Sequence, residues 1–390
     1  MYNLRPYQIE AVEAGAKFLT DKAEKGNGLM VLPTGSGKSL IIANLALRIG
    51  KPILIFQPSK EILEQNYKKL TSYGLVNCGI FSASAGRKQI GMVTFATIGS
   101  VVNVVNSFKG LFSYIIIDEC HLVNPEEGMY KKVLTTLELK VLGLTATPYR
   151  LYSNSNGGIL RFITRTNPRM FNKMIYQVPI KELVNRGYLA NLQYFKLDMI
   201  GLQNLQVNST GNDYTDKSLK NEYKRTKFKD NLQNIVTRLL RKGRRRILVF
   251  TKFTEEAELI ASSLGNRAAF VSGETPKRER EQILSDFKSG KIWVVCNVGV
   301  LTTGFDYPEL DTIVVARPTR SLSLWYQIVG RAIRPCLHKE GWIVDLCGTY
   351  DRFGRVDDLE IIDEAELDGT PIKGKWAVYN GLRKLTNVYY

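Results

Sequence analysis

One pattern recurs along this chain: a short apolar run rich in β-branched residues, then a polar turn, then a segment with helical spacing. In the first half such runs lie at Gly28–Leu32, Ile53–Phe56, Tyr114–Ile117 and Val141–Leu144. Strands that alternate with helices form βαβ units, in which parallel strands share one sheet with helices on both faces. The pattern therefore predicts an α/β protein with mostly parallel sheets.

The same alternation restarts in the second half, where predicted strands lie at Ile247–Phe250, Ile292–Cys296, Thr312–Ala316 and Trp342–Leu346. A chain of 390 residues exceeds the size that one hydrophobic core usually supports. We therefore expect two domains of the same architecture. The predicted boundaries are residues 1–190 for the first domain, with a loop or insertion at 151–181, residues 191–353 for the second, and a C-terminal tail of unknown role at 354–390.

The charge of the chain is strongly basic, with a formal net charge of +17. Such a balance favours a polyanionic partner, usually a nucleic acid, although a basic surface can also serve solubility alone. Residues 217–246 form the most basic segment, and Tyr214, Tyr223 and Phe228 interleave with it. Aromatic rings among cations are typical of surfaces on which bases stack, and a solvated helix flank is the alternative.

Cysteine and histidine usage restricts the possible chemistry. The five cysteines are widely spaced without a Cys-x-x-Cys pair, and the chain has two histidines, His121 and His338. This pattern argues against structural zinc and against a disulfide framework, and it favours a reducing compartment. With no signal peptide or membrane span in the sequence, we expect a soluble, cytoplasmic protein from a bacterium or a phage-infected cell.

A glycine-rich turn follows the first predicted strand. It consists of seven residues: Pro33, Thr34, Gly35, Ser36, Gly37, Lys38 and Ser39. Backbone N–H groups of such a turn can surround phosphate oxygens, with the lysine on the β- and γ-phosphates and the Ser39 hydroxyl on Mg²⁺. The first glycine of the strict motif is replaced by Leu32 here, so the turn is a variant phosphate loop.

A second chemical motif, the acidic tetrad Asp118-Glu119-Cys120-His121, follows a buried strand about eighty residues later. Asp118 is predicted to hold Mg²⁺, and Glu119 to act as the base that orients or deprotonates an attacking water. His121 could link this site to a second domain, or it could be an ordinary loop histidine. Together the two motifs predict hydrolysis of a nucleoside triphosphate.

The ordered set of motifs resembles superfamily 2 helicases and translocases over about residues 1–350. The matching blocks are Leu4–Gln8, Pro33–Ser39, Asp118–His121, Thr145–Pro148, Ile247–Phe253, Val298–Pro308 and Gln327–Arg334. Within the superfamily the chain looks closest to RadD-like bacterial repair ATPases and their phage relatives. The resemblance implies two tandem RecA-like domains with an ATP cleft between them, with ATP and Mg²⁺ as cofactors.

The resemblance also implies roles for individual residues. Gln8, with Arg5 nearby, would read the adenine edge, and Gly304 and Asp306 would lie near the ribose and phosphate. Further roles fall to two groups of residues. Gln327, Arg331 and Arg334 would act on the γ-phosphate, the two arginines as arginine fingers on one face of a helix, whereas His121, Thr145 and Thr147 would couple the acidic site to domain movement.

Contacts with a nucleic-acid backbone are expected at turns between strands and helices, where hydroxyl and basic side chains meet helix N-termini. Each such residue alone could equally cap a helix. The candidates are Ser59, Lys60, Thr97, Ser100, Thr251, Lys252, Thr302 and Thr303.

The favoured function is an ATP-driven motor that remodels single-stranded or branched DNA, acting as a monomer. An RNA helicase is the second possibility, but its commonest family has Asp-Glu-Ala-Asp at the tetrad and His-Arg in place of Gln327-Ile328. A slow ATP-gated DNA-binding or recombination mediator is the third. The segment between Asp306 and Gln327 has no room for a long wedge hairpin, so translocation or remodelling is favoured over vigorous unwinding.

Overall fold

The computed structural model describes residues 3–74, 77–154, 157–209, 211, 213–301, 305–337, 339–365 and 374–388. Its strands are β1 Gly28–Val31, β2 Ile53–Phe56, β3 Cys78–Ser82, β4 Arg87–Lys88, β5 Val93–Ala96, β6 Tyr114–Asp118, β7 Lys140–Thr145, β8 Tyr149–Asn154, β9 Gly157–Phe162, β10 Lys173–Gln177, β11 Leu192–Lys196, β12 Ile247–Thr251, β13 Ala268–Val271, β14 Val294–Asn297, β15 Thr312–Ala316, β16 Gly341–Asp345, β17 Leu359–Asp363, β18 Trp376–Asn380 and β19 Arg383–Lys384. Its α-helices are α1 Pro6–Thr20, α2 Lys38–Ile49, α3 Lys60–Thr71, α4 Ile98–Val101, α5 Met129–Leu137, α6 Ile180–Asn185, α7 Asp216–Arg225, α8 Phe228–Arg241, α9 Thr254–Leu264, α10 Lys277–Lys288, α11 Leu322–Val329 and α12 Thr349–Phe353.

The chain divides into two compact units, which we call unit 1 and unit 2. Unit 1 comprises residues 1–150, 160–179 and 360–379, and unit 2 comprises residues 151–159, 180–359 and 380–390. The domain limits predicted from the sequence, at residues 190 and 353, stay predictions.

Unit 1 is built on an eight-stranded sheet in the order β10-β1-β7-β6-β2-β5-β3-β4. All neighbours are parallel except β3 and β4. Strands β1, β2 and β5 are buried along their whole length, as expected for strands covered on both faces. Because the strands are parallel, the turns after β1, β6 and β7 lie at the same edge of the sheet, and these turns carry the predicted chemistry.

Unit 2 is built on a six-stranded, fully parallel sheet in the order β11-β16-β15-β12-β14-β13. Its central strands β12, β14 and β15 are completely buried, and α7, α8 and α9 contribute side chains to the same core. The repeated α/β architecture with mostly parallel sheets confirms the predicted fold class.

The structure differs from the sequence prediction in segments where no strand was expected. Residues 151–181 contain the ribbon β8–β9 and the edge strand β10, which pairs with β1. In β10, polar residues such as Lys173 hid the strand pattern, because this strand is only partly covered. In the C-terminal segment 354–390 the described residues form β17, β18 and β19.

Candidate nucleotide site

The glycine-rich turn adopts a tight loop between β1 and α2. Gly35 and Gly37 have φ values of +84° and +81°, in the left-handed region that favours glycine. Leu32 N donates to Thr145 O at 2.9 Å, so the loop leaves β1 while still attached to β7. Helix α2 begins at Lys38, and its first backbone N–H groups therefore open toward the loop. This geometry is that of an anion-binding loop at a helix N-terminus.

The start of α1 packs against this loop. Gln8 is 3% exposed; its Oε1 accepts from Arg5 N at 2.9 Å and its Nε2 donates to Ser36 O at 2.8 Å. Tyr7 OH donates to the same carbonyl oxygen at 2.8 Å. The structure thus brings Gln8 into contact with the phosphate loop, and the backbone N–H of Arg5 holds the other end of the Gln8 amide. The sequence prediction missed Tyr7, although it stands next to Gln8 in the same motif.

Lys38 and Glu119 form the central ion pair of unit 1, with Nζ 2.5 Å from Oε1. Burial opposes ionisation of Glu119, but the Lys38 ammonium and His121 together outweigh that effect and lower the pKa of the carboxyl. Asp118 has the opposite shift: burial, which exceeds the opposing effect of Lys38, together with the neighbouring Glu119 charge raises its pKa to about 7. Burial lowers the pKa of Lys38, yet the charges of Glu119 and Asp118 raise it overall. The two adjacent carboxyls therefore have different proton affinities.

A polar network connects the acidic tetrad to the end of β7. His121 Nδ1 lies 3.3 Å from Glu119 Oε2 and 2.8 Å from Thr145 Oγ1. Thr145 Oγ1 also accepts from Thr147 N at 3.0 Å. The residues predicted to couple the acidic site to movement are thus in direct contact. Glu119 itself has a φ of +51°, which is unusual for a residue with a side chain and holds its carboxylate toward Lys38.

The residues at this edge of unit 1 fit a magnesium–nucleotide complex. Ser36 Oγ is buried without a hydrogen-bond partner among the described residues, and a Cβ at Gly37 would lie 2.5 Å from Gln8 Nε2, so the loop is closely fitted. Ser39 and Asp118 supply the oxygen donors that Mg²⁺ prefers. Within the described part of the chain there is no cluster of three His, Cys, Asp or Glu residues that could hold a metal by itself.

The second set of predicted nucleotide residues lies in unit 2. Arg331 is 7% exposed, and its guanidinium donates to Phe305 O at 2.7 Å and to Gln327 O at 3.3 Å. Arg334 forms an ion pair with Asp306. The two arginines do not share a helix face as predicted, because α11 ends at Val329 and both residues lie in the turn that follows. The predicted residue Gly304 lies outside the described residues.

The predicted nucleic-acid residues of unit 1 lie at the same sheet edge. Ser59 caps α3 by accepting from Ile62 N at 3.4 Å, and Lys60 pairs weakly with Glu64. Thr97 and Ser100 share a hydroxyl contact of 2.9 Å and line a cleft of about 410 Å³.

Gln57 lines this cleft as well, and the sequence prediction overlooked it. It is 1% exposed, and both atoms of its side-chain amide lack a hydrogen-bond partner in the described part of the chain. The sequence did contain a signal for Gln57, because it is a polar residue directly after the buried strand β2.

The predicted nucleic-acid residues of unit 2 differ in their accessibility. Thr251 is completely buried and its hydroxyl is inaccessible, so this structure does not support its contact with a phosphate. Lys252 is accessible and lies 3.2 Å from Asp216. Thr302 and Thr303 lie outside the described residues.

The aromatic residues of the basic segment are core residues, which corrects the predicted stacking surface. Tyr214, Tyr223 and Phe228 are at most 6% exposed and belong to the core of unit 2. Tyr223 and Phe228 stack at 4.0 Å between ring centroids, and Tyr223 OH donates to Ala316 O. These rings follow the buried faces of α7 and α8, whereas the lysines of the segment occupy the exposed faces. The alternation of aromatic and basic residues therefore reflects amphipathic helices.

Two further expectations concern the chain as a whole. Among the residues that the structure describes, no helix is long and apolar enough to span a membrane. All five cysteines are free thiols, three of them buried.

Two family models match the chain in the expected order. A model described as "Type III restriction enzyme, res subunit" matches residues 1–150, and one described as "Helicase conserved C-terminal domain" matches residues 227–336. The first match covers the phosphate loop and the acidic tetrad, and the second covers Asp306, Arg331 and Arg334. Both matches support an assignment to the superfamily 2 helicases and translocases.

Individual relatives agree with this assignment. A "51.5 kDa protein" of a Lactococcus phage is 28% identical over 83% of this chain and 66% of its own length. The "DNA 3'-5' translocase XPB2" of Sulfurisphaera tokodaii is 26% identical over 89% of this chain and 82% of its own length. The chain spans between 50% and 66% of the length of three of its curated relatives. The closeness to RadD-like ATPases stays a prediction.

A solved structure supports the fold. A putative HsdR subunit fragment of a type I restriction enzyme from Vibrio vulnificus aligns with a TM-score of 0.66 at 21% identity. The alignment covers 90% of this chain and 65% of that one. The two units are therefore tandem RecA-like domains, as the sequence predicts.

Proposed function

We propose that this chain is a magnesium-dependent ATPase that translocates along DNA or remodels single-stranded and branched DNA. The observation that carries the proposal is the 2.5 Å contact between Lys38 Nζ and Glu119 Oε1. It joins the phosphate loop to the acidic tetrad, so one compact unit contains both the cation for a phosphate and the base for a water. The similarity to a protein named as a DNA translocase supports DNA as the substrate.

The pairing also supports an order of events at the site. Bound ATP would supply the phosphoanhydride bond that is cleaved, and Mg²⁺ would neutralise the negative charge of its phosphates. When Lys38 moves from Glu119 to a bound phosphate, Glu119 loses one of the interactions that lower its pKa and becomes a stronger base. Glu119 is then able to take a proton from the attacking water, while His121 keeps its contact on the other carboxylate oxygen.

The experiment is an ATPase assay with single-stranded DNA, branched DNA and RNA as separate activators. We expect stimulation by DNA, a loss of about 10²–10⁴-fold in kcat for Glu119→Gln, and loss of ATP binding for Lys38→Ala. Glu138→Gln is a matched control, because Glu138 is exposed and has the same φ of +51° as Glu119. Lys132→Ala, an exposed lysine on α5, is the control for Lys38.

The same assay separates the competing functions. Stimulation by RNA but not by DNA would identify an RNA helicase instead. DNA binding with turnover that no nucleic acid stimulates would favour an ATP-gated mediator. Wild-type turnover in Glu119→Gln would contradict the assigned base.

A further inference from the structure

A group of cations lies at the carboxyl edge of the unit 2 sheet. Arg317 and Arg320 follow β15, Lys252 follows β12, and Arg352 lies on α12 shortly after β16. These strands are neighbours in the order β16-β15-β12, so the three turns meet at one edge. Ligands of open α/β sheets bind at this edge. We refer to Arg317, Arg320 and Arg352 as the arginine cluster.

The carboxylates near the cluster are already engaged. Asp213 Oδ2 lies 3.3 Å from Arg317 Nη2 and 3.9 Å from Lys252 Nζ. Lys252 also pairs with Asp216 at 3.2 Å. The ion pairs of Asp213 and Asp216 thus go to Arg317 and Lys252.

Arg320 has a buried polar atom without a partner. Its side chain is half-buried, and its Nε has no hydrogen-bond partner among the described residues. The Nε of Arg317 is likewise buried without an acceptor. Burial and the neighbouring Arg352 charge lower the pKa of Arg320. A guanidinium that is desolvated beside another cation is unfavourable for folding, so its position calls for an anion that the protein itself does not supply.

We propose that the arginine cluster binds a phosphate of the nucleic-acid backbone, with Arg320 as the principal contact. Guanidinium groups match phosphate in a planar, bidentate geometry, and two of them around one phosphate would relieve their mutual repulsion. A phosphate contact holds the strand without reading its sequence, as a translocating protein requires. This inference rests on the proposed function.

The test measures binding of a fluorescent single-stranded DNA oligonucleotide in the absence of nucleotide over a series of salt concentrations. Arg320→Gln is expected to weaken binding roughly 5- to 10-fold and to reduce the slope of log K against log salt by about one. Arg320→Lys should restore part of the affinity, because lysine keeps the positive charge but lacks the bidentate geometry of the guanidinium. Arg278→Gln, an exposed arginine on α10, should leave both the affinity and the slope unchanged.

Two further measurements separate the possible ligands. Thermal unfolding of the full chain should be unchanged or improved in Arg320→Gln, since the change removes a repulsive charge. Inorganic phosphate should compete with DNA only weakly, because a free phosphate ion would occupy only one of the several sites at which the protein contacts the DNA backbone. If phosphate or ATP instead protects the wild type against unfolding and Arg320→Gln abolishes that protection without changing DNA affinity, the cluster is a free-anion site and the proposal is overturned.

The failure of this inference is distinguishable from failure of the proposed function. Unchanged DNA affinity and salt slope in Arg320→Gln, with DNA-stimulated ATPase intact, would overturn the arginine cluster alone. Absence of DNA binding and of DNA-stimulated turnover in the wild type would overturn both.

Discussion

Replacement of Gly37 by alanine tests how the phosphate loop is held in shape. Gly37 has a φ of +81°, and an alanine Cβ there would lie 2.5 Å from Gln8 Nε2. The left-handed conformation costs an alanine about 1–2 kcal/mol. The Gln8 side chain can swing away from the new methyl group, but it then loses its contacts with Ser36 O and Arg5 N inside a buried environment. That loss costs about 1–2 kcal/mol more.

A matched control lies at the other end of the same helix. Gly50 ends α2 with a φ of +59°, and the nearest atom to an added Cβ is Leu47 O at 4.0 Å. Gly50→Ala should therefore cost only the conformational part, about 1–2 kcal/mol. Gly37→Ala should cost about 2–4 kcal/mol, the sum of both effects.

The free energies of local opening can be measured by native-state hydrogen exchange of the α2 and β1 amides. A double-mutant cycle of Gly37→Ala with Gln8→Ala should show a coupling of about 1–2 kcal/mol, because the clash disappears once Gln8 is truncated. Equal costs for Gly37→Ala and Gly50→Ala, or a coupling near zero, would refute the close fit between Gln8 and the loop.

Two other changes test contacts away from the loop. Glu222 is 3% exposed, and hydrogen bonds from Arg225, Gly201 and Asn204 lower its pKa to about 2. The ionised carboxylate therefore stabilises the fold above its ordinary pKa. This stabilisation is lost as the pH falls from about 4.5 toward 2. Because Arg225 is largely exposed, we expect the free energy of unfolding of the wild type to fall by only roughly 1–2 kcal/mol between pH 5 and 3. Urea unfolding should show no such fall in Glu222→Gln. Parallel pH profiles of the two proteins would contradict this expectation. Thr145→Val removes the hydroxyl that contacts His121 and accepts from Thr147 N. We therefore expect the free energy of unfolding to fall by about 1–2 kcal/mol and the stimulation of the ATPase by DNA to weaken. Thr145→Ser should keep both the stability and the stimulation of the wild type. An unaltered ratio of stimulated to basal turnover in Thr145→Val would argue against coupling through this hydroxyl.

The strands that carry the chemistry were predictable because they are buried on both faces. Apolar runs such as Ile53–Phe56 and Thr312–Ala316 have the same bounds in sequence and structure. Partly exposed strands were not predictable, because β10 is half-covered along its length and mixes polar with apolar residues. The end of α11 was also missed: the apolar spacing continues through Ile333, but those residues are buried in a turn after Val329.

The aromatic residues of the basic segment show a different limit of sequence reasoning. Amphipathic helices and stacking surfaces both place aromatic rings among lysines, so composition alone could not separate them. The separation depends on which residues share a helix face: Tyr223 and Phe228 point to the core of unit 2, and Lys224 and Lys229 point to solvent. The positive surface remains, but it has no aromatic platform in this segment.

The site itself depends on a contact that no local pattern contains. The sequence could assign a cation to Lys38 and a base to Glu119 from their separate motifs, but not the direct pairing of two residues 81 positions apart. That pairing changes the chemistry, because a carboxylate held by an ammonium is a weak base. Under the proposed function, Glu119 therefore gains basicity when Lys38 turns to another anion. The ion pair between Lys38 and Glu119 would then hold the proposed base in a weakly basic state until a phosphate binds.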